Sequence, residues 1–285
     1  MTLTIFLADA FVEDYVGGAE LTSHALMEES PEGFNIAKIR CAQLNKNIID
    51  QHRDSHWVIL NFASLDQDLK LYLIKNVEYS IVEYDYKFCQ FRSMDLHKLQ
   101  TSKDCDCVDK KENKINLAFY GYAKKIWFMS DSQRRIFLDK VKTIKEENTQ
   151  TLNSVFSRGD LRFIDSIKDN EKDDNYIIVK TSSWIKGFES CVKYAQENKL
   201  KYEVVSNVQY HELLIKLSTS RGLIFLPEGA DTCPRLVMEA QMLGCETILN
   251  NRVQHKDEPW ALNAKTCREH MNTRCSTFWS FYEQR

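Results

Sequence analysis

The stretch GLIFLPEGADTCPRLVMEAQMLGCETILNN, residues 222–251, contains two β-type runs separated by a turn and a helical segment. The first run, 222–228, is apolar and aromatic and ends in Pro-Glu. Residues 234–243 place apolar side chains at helical spacing, and Pro234 can take the first helical position. The second run, 246–251, follows directly. A strand, a helix and a strand in this order predict a parallel sheet covered by helices.

The same alternation runs along most of the chain. The β-type runs of the first half are TIFLAD (4–9), FNIAKIRC (34–41), HWVILNF (56–62), EYSIVEYD (78–85) and KIWFMS (125–130). Those of the second half are YIIVKT (176–181), KYEVVSN (201–207), GLIFLPE (222–228) and ETILNN (246–251). Helical periodicity lies between them, and we expect Ser130 or Asp131 to cap a helix over 131–141. The pattern predicts an α/β fold with two Rossmann-like domains that face a central cleft.

A charged segment interrupts this alternation. Residues 159–175, GDLRFIDSIKDNEKDDN, contain no β-type run, which predicts a linker. We therefore expect an N-terminal domain over 1–170 and a C-terminal domain over 171–270. Residues 271–285 are expected to form a last helix that returns to the first domain through an aromatic cluster, namely Phe278, Trp279, Phe281 and Tyr282.

Composition excludes several classes of protein. The chain has 285 residues, 43% hydrophobic and 28% charged, which indicates a globular protein. Its net charge of -3 gives no reason to expect nucleic acid as a partner. No apolar run reaches the ~18 residues of a transmembrane helix, and the start lacks the basic region of a signal peptide. Nine cysteines without an export signal are expected to be reduced, which favours a cytoplasmic location.

Gly17-Gly18 opens a helix after the first strand and its loop. Two glycines let the backbone approach a ligand closely, and the helix start offers unpaired N–H groups to an anion. No third glycine completes a G-x-G-x-x-G pattern, so a nicotinamide dinucleotide is not supported. An ordinary loop-to-helix turn remains the alternative.

Two lysines follow the first strand of the second half. Lys180 closes that strand, and Lys186-Gly187 lies near the start of the next helix. Cations beside a helix N-terminus suit a diphosphate, because they pair with its charge while the N–H groups donate to its oxygens. Solvated surface lysines are the alternative.

Acidic and basic residues recur along the opening stretch. Asp231 lies in the turn before the helix, and Glu239 lies near the second helical turn. Arg235 is four residues before Glu239, so an ion pair within the helix explains both of these charges without a ligand. The sequence therefore leaves two roles open for Arg235, a structural ion pair and phosphate binding.

The order of these pieces carries a family resemblance. D-x7-E over 231–239, followed by A-x3-G-C-x-x-I, resembles the E-x7-E signature of retaining GT-B glycosyltransferases, which use nucleotide sugars. Gly17-Gly18 is similar to the glycine loop of that family, and Lys186-Gly187 is similar to its lysine-glycine pair.

The resemblance implies a role for each residue. Glu239 would hydrogen-bond the ribose, and Asp231 stands where the family has its sugar-facing acid. Lys186, with Lys180, would neutralise the diphosphate as negative charge accumulates on it. Asp85 would contact the acceptor or the transferred sugar.

The implied reaction is transfer of a hexose from a UDP- or GDP-linked donor, with retention and without a metal ion or other cofactor. The acceptor is a carbohydrate, a lipid or a protein. The chain departs from the family where Asp231 replaces the usual Glu and where Tyr84 stands in place of a histidine. Two alternatives therefore stay open: a GT-B nucleotide-binding module or partner subunit without turnover, and a nucleotide-sugar epimerase of the same fold.

Four metal-ligating side chains lie outside this pattern. Cys89, His97, Cys105 and Cys107 are types that bind Zn²⁺. Their spacing, C-x7-H-x7-C-x-C, is not a familiar zinc spacing. The sequence therefore favours incidental thiols, or a disulfide formed on isolation, over a zinc site.

Overall fold

Strands and helices alternate along the computed structural model, which describes residues 2–283 and, at Thr2, the backbone alone. The strands are β1 (Thr2–Ala8), β2 (Phe34–Arg40), β3 (His56–Ile59), β4 (Tyr79–Glu83), β5 (Lys125–Phe128), β6 (Thr149–Thr151), β7 (Tyr176–Val179), β8 (Tyr202–Val205), β9 (Gly222–Phe225) and β10 (Glu246–Leu249). The helices are α1 (Gly18–Glu28), α2 (Lys46–Gln51), α3 (Gln67–Asn76), α4 (Met94–Thr101), α5 (Lys114–Gly121), α6 (Asp131–Lys140), α7 (Arg158–Ile167), α8 (Phe188–Glu197), α9 (Tyr210–Thr219), α10 (Arg235–Met242) and α11 (Ala264–Glu283).

The first compact unit, unit 1, comprises the described residues up to Val155 together with those from Cys275 onward. Its parallel sheet has the strand order β2-β1-β3-β4-β5-β6. Ile5, Phe6 and Leu7 are fully buried in β1, because helices cover both faces of a parallel sheet. The side chain of Ser130 accepts a hydrogen bond from the Gln133 amide at 3.1 Å, so Ser130 caps α6.

The second compact unit, unit 2, comprises Phe156–Arg274. Its parallel sheet has the strand order β10-β9-β7-β8. Ile178 of β7 and Ile224 of β9 pack with Cys191 and Ala195 of α8 in its core. The two parallel sheets confirm the predicted α/β class.

The predicted linker at 159–175 is wrong for its first part, because α7 occupies residues 158–167. Ser157 and Asp160 form a capping box at the start of α7, and Leu161 and Ile164 bury its inner face. The apolar positions of this helix are separated by charged residues, which hid its periodicity. The helix belongs to unit 2, so the boundary between the units lies at Val155–Phe156 and not at residue 170.

The C-terminal helix α11 contributes to both units. Residues up to Arg274 belong to unit 2, whereas those from Cys275 belong to unit 1, four residues later than the expected division at 271. In unit 1, the Trp279 indole donates to the Leu26 carbonyl at 2.8 Å, and the Phe278 ring lies 5.4 Å from that of Trp127. No helix among residues 2–283 combines the length and apolar character needed to cross a membrane.

Each sheet reverses its strand order at one place. In unit 1 the chain steps to opposite sides of β1, and in unit 2 it steps to opposite sides of β7. Open α/β sheets bind ligands outside the carboxyl ends of the strands at such a switch point. The loops that follow β1 and β3, and those that follow β7 and β9, are therefore the places to look for function.

Candidate functional site

The switch point of unit 2 is built around Gly187. This residue has a φ of +65°, and a Cβ here would lie 1.9 Å from the Leu226 carbonyl oxygen. A glycine is therefore required for the turn after β7 to pack against the end of β9. Lys186 precedes it in a short 3-10 turn, Trp184–Lys186, and α8 begins directly after it.

Lys186 and Asp231 meet at this edge of the sheet. The Lys186 amine lies 2.6 Å from Oδ2 of Asp231, and the two residues are 45 positions apart. The Asp231 backbone is held by hydrogen bonds to Arg252 and Gln254, at 2.9 and 3.0 Å. The side chain of Asp231 is 10% exposed and that of Lys186 is 34% exposed. A carboxylate whose backbone is held in place thus pairs with a lysine whose side chain is partly exposed to solvent.

His255 is a further residue at this place. Its side chain is fully buried and stacks on the ring of Trp260, with centroids 5.3 Å apart. Neither ring nitrogen has a hydrogen-bond partner among residues 2–283. Burial lowers the pKa of His255 to about 4, although the charge of Asp231 opposes this shift. His255 is therefore neutral at pH 7, and no pattern in the sequence pointed to it.

Arg235 lies at the centre of a buried network in unit 2. Its guanidinium donates to Glu239 Oε1 at 3.2 Å, to Asp160 Oδ2 at 2.9 Å and to the Tyr210 hydroxyl at 3.0 Å. It also lies over the ring of Phe156, 3.8 Å from the centroid. These contacts agree with a structural role for Arg235, which is one of the two roles that the sequence leaves open.

Glu239 is almost completely buried, at 2% exposure. Burial raises its pKa, and the neighbouring Arg235 opposes that effect. The Tyr210 hydroxyl donates to Glu239 Oε1 at 2.9 Å, so both hydrogen bonds to this carboxylate within the described chain reach the same oxygen. Oε2 receives no side-chain hydrogen bond from the described residues.

Lys180 lies just beyond β7 and is exposed. Its amine lies over the ring of Phe188, 5.4 Å from the centroid. Phe188 is the first residue of α8, so Lys180 adds positive charge beside the N-terminus of that helix.

In unit 1, Gly17 precedes α1 and Gly18 is its first residue. A Cβ at Gly17 would lie 2.6 Å from Glu20 Oε2 and 2.7 Å from the ring of Tyr15. Burial raises the pKa of Glu20, which lies in the first turn of α1. The start of this helix thus carries an acidic side chain of its own.

Asp85 follows β4 and is held by two cations. Arg92 donates from Nε to Asp85 Oδ2 at 2.7 Å, and the Lys87 amine lies 3.1 Å from Oδ1. Although burial opposes it, the charges of Lys87 and Arg92 lower the pKa of Asp85. Asp85 is therefore ionised at neutral pH and can accept hydrogen bonds from hydroxyl groups.

A buried acid shares the same lysine. Lys87 Nζ lies 2.7 Å from Glu83 Oε1, and the Tyr120 hydroxyl donates to Glu83 Oε2. Burial raises the pKa of Glu83 to about 7, against the charge of Lys87. The sequence did not reveal Glu83, because an acid inside an otherwise apolar strand shows no pairing pattern.

The structure also brings together the four metal-ligating side chains of unit 1. One ligand atom from each of Cys89, His97, Cys105 and Cys107 lies within 4.8 Å of the others. No disulfide joins Cys89, Cys105 and Cys107, which are all thiols. The sequence spacing favours incidental thiols over a zinc site. The spacing alone does not show that the loop folds back and brings the four side chains together.

No protein-family model matches the sequence, and no curated protein sequence matches it. Solved structures match over the full length of the chain. Anabaena Alr3699/HepE in complex with UDP and glucose matches with a TM-score of 0.58 at 9% identity, covering 100% of this chain and 99% of that chain. AviGT4, a glycosyltransferase involved in Avilamycin A biosynthesis, matches with a TM-score of 0.58 at 8% identity, covering 100% and 98%.

An epimerase is also similar in structure. The UDP-GlcNAc 2-epimerase of Methanocaldococcus jannaschii, in complex with UDP-GlcNAc and UDP, matches with a TM-score of 0.50 at 12% identity, covering 96% of this chain and 93% of that chain. At such low identities the likeness concerns the fold. It confirms the expected GT-B fold with parallel sheets.

Proposed function

We propose that the protein is a glycosyltransferase that moves a hexose from a UDP-linked donor to an acceptor, with retention of configuration and without a metal ion. The observation that carries this proposal is the contact of Lys186 with Asp231 at the switch point of unit 2. The choice of UDP over GDP is supported by the UDP and UDP-glucose bound to HepE. The resemblance around the D-x7-E pattern supports transfer with retention.

In this proposal unit 2 binds the donor. Lys186, assisted by Lys180, pairs with the diphosphate, and the N-terminus of α8 offers backbone N–H groups to the same oxygens. Glu239 accepts hydrogen bonds from the ribose hydroxyls through Oε2. Arg235 acts as a positioning residue, because it orients the Glu239 carboxylate from within the unit.

The chemistry requires stabilisation of two opposite charges. Glycosyl transfer passes through an oxocarbenium-like state while negative charge accumulates on the departing diphosphate. Lys186 neutralises that negative charge. Asp231 faces the sugar, where a carboxylate favours the developing positive charge. The Lys186–Asp231 contact holds both groups at one edge of the sheet before a donor arrives.

We place the acceptor on unit 1. Asp85 is ionised and follows β4. The carboxylate of Asp85 suits a hydroxyl-bearing acceptor or the transferred sugar, because it can accept their hydrogen bonds. Carbohydrate, lipid and protein acceptors all carry such hydroxyl groups.

Ligand-induced stabilisation tests the donor site. UDP at 100 times its Kd is expected to stabilise the protein by about 2.7 kcal/mol, seen as a raised melting temperature. Lys186→Ala and Glu239→Ala should abolish this rise, whereas Glu203→Ala, at an exposed acid of the same unit, should retain it. Lys186 is half-buried, so its variant is expected to fold even where Glu239→Ala is unstable. Absence of a shift with every nucleoside diphosphate would rule out the proposal.

Epimerisation is the second candidate, since a UDP-GlcNAc 2-epimerase shares the fold over 96% of this chain. Incubation with UDP-sugars, followed by separation of the products, distinguishes the two reactions. A transferase yields free UDP and a glycosylated acceptor, whereas an epimerase yields a UDP-sugar inverted at one carbon. Tight UDP binding with neither product across a broad acceptor panel would indicate a nucleotide-binding module without turnover.

A further inference from the structure

The segment between β4 and α5 in unit 1 contains little regular structure. Besides the eight-residue helix α4, it has two short 3-10 turns, Cys107–Asp109 and Lys111–Asn113. Cys89 precedes α4, His97 lies on it, and Cys105 and Cys107 follow it. One ligand atom from each of these residues lies within 4.8 Å of the others, so the three parts of the segment meet at one place.

The four side chains have the donor atoms that zinc prefers. Thiolate sulfur and imidazole nitrogen form four-coordinate structural zinc sites, including sites with three cysteines and one histidine. Cys89, His97 and Cys107 are at most 3% exposed, and Cys105 is half-buried. A site so enclosed by protein ligands leaves no open position, which is typical of structural zinc.

The distances agree with a tetrahedral ion. His97 Nδ1 lies 3.7 Å from Cys89 Sγ and 3.5 Å from Cys107 Sγ. One tetrahedral zinc with bonds of about 2.3 Å to sulfur and about 2.05 Å to nitrogen would separate these atoms by about 3.6 Å. All four ligand atoms lie within 4.8 Å of one another, against about 3.8 Å for two sulfurs on one zinc. Cys89, Cys105 and Cys107 lie outside the α-helices, so small shifts of their side chains can shorten the longest of these separations.

The surroundings of the cluster orient its histidine. The rings of His97 and Phe91 form a T-shaped pair, with centroids 5.5 Å apart. Its other nitrogen, Nε2, lies 3.7 Å from Oδ1 of Asp106, which also pairs with Lys110 at 3.0 Å. A carboxylate facing the non-ligating nitrogen is the usual partner of a zinc-bound histidine, because it favours the tautomer with Nδ1 free to bind metal.

The loop is also tied together beside the cluster. The Asn113 amide donates to the Phe88 carbonyl at 2.7 Å and to the Cys107 carbonyl at 3.0 Å. Cys89 and Cys107 are also among the residues that line a cavity of about 290 Å³.

We propose that Cys89, His97, Cys105 and Cys107 bind one structural Zn²⁺ ion that holds the segment between β4 and α5. Three thiolates and one neutral imidazole supply four ligands, and zinc binding releases the thiol protons. The site uses none of the donor-binding residues of unit 2, so it stands independently of the proposed function.

Metal analysis of the full chain tests this site. Protein purified under reducing conditions without chelator or added metal is expected to contain one zinc per chain. Cys107→Ser and His97→Gln should lose the zinc, whereas Cys275→Ser, at a half-buried thiol of the same unit, should keep it.

A second measurement covers variants that fail to fold. Replacement of the metal in the wild-type chain with Co²⁺ should give the visible absorption of tetrahedral cobalt with thiolate ligands. The proposal is overturned if reduced protein dialysed with ZnCl₂ retains no zinc, or if the cobalt spectrum is octahedral. It is also overturned if any two of Cys89, Cys105 and Cys107 form a disulfide in protein prepared without oxidant.

Discussion

Units 1 and 2 both bury charges near the carboxyl ends of their strands, but they neutralise them differently. In unit 2 one cation, Arg235, serves two acids, and Glu239 is four residues away on the same helix. In unit 1 two cations serve the acids Glu83 and Asp85, and all of them lie on β4 or the loop after it. The unit 2 network thus depends on a single residue, whereas the unit 1 network shares its charges.

This difference affects which acids can take up a proton near neutrality. Burial, together with the nearby charge of Asp85, raises the pKa of Glu83 to about 7, and the charge of Lys87 opposes this shift. Asp85, which has Arg92 as a second cation, has a lowered pKa. Glu83 is therefore the acid of unit 1 that is expected to take up a proton near neutral pH.

Removal of Arg235 is expected to have the largest effect. Arg235→Ala leaves Glu239 and Asp160 without their cation, which should destabilise unit 2 by about 3–5 kcal/mol. Urea unfolding followed by hydrogen exchange in β9 measures this loss. Arg221→Ala is the control, because Arg221 also pairs with an acid and lies over an aromatic ring but is 53% exposed. It should cost about 0–1 kcal/mol. Equal losses of stability in the two variants would show that the network of unit 2 does not depend on Arg235.

Glu83 is expected to make unit 1 sensitive to pH. Its folded pKa of about 7 exceeds the reference value of 4.5, so the folded state binds more protons between these values. Stability should consequently fall as pH rises through this window, by up to about 3 kcal/mol.

Glu83→Gln should flatten this dependence, and melting temperatures at about pH 5 and about pH 7.5 measure the change. Glu78→Gln, at an exposed acid of the same unit, should leave the wild-type slope intact. A slope that persists in Glu83→Gln would show that another group carries it.

Breaking the ion pair between Lys186 and Asp231 should have the smallest of the expected effects. Asp231→Asn removes the charge that pairs with Lys186 in the free protein, so UDP should bind more tightly, by up to about fivefold for a partly exposed ion pair. Isothermal titration measures this change. Asp257→Asn, which affects an exposed pair with Lys256, should leave the affinity unchanged. Weaker UDP binding in Asp231→Asn would argue that the acid itself supports the nucleotide.

Much of the fold was predictable because its signals are local. Apolar β-type runs such as KIWFMS contain the observed strands, and Ser130 caps α6 as one of two predicted candidates. The short strand β6 was not predicted, because Thr149–Thr151 contains no apolar residue. The sequence predicts a linker where α7 lies, because charged residues surround the two buried positions of this helix.

The candidate site was predictable in part. The Arg235–Glu239 pair follows from the spacing of four along a helix. Tyr210 and Asp160 complete that network from 25 and 75 residues away, and nothing near them in the sequence indicates this partnership. No sequence pattern near His255 indicates that this residue is buried against Trp260.

The sequence by itself determined the alternation of strands and helices, and with it the parallel sheets and the order of the motifs. These features depend on periods of two and of 3.6 residues, which neighbouring side chains establish among themselves. The tertiary structure alone decided that Lys186 meets Asp231 across 45 residues and that three cysteines surround His97. Such contacts depend on strand order and loop closure, because side chains distant in the chain meet only when the sheet has brought their loops to one edge.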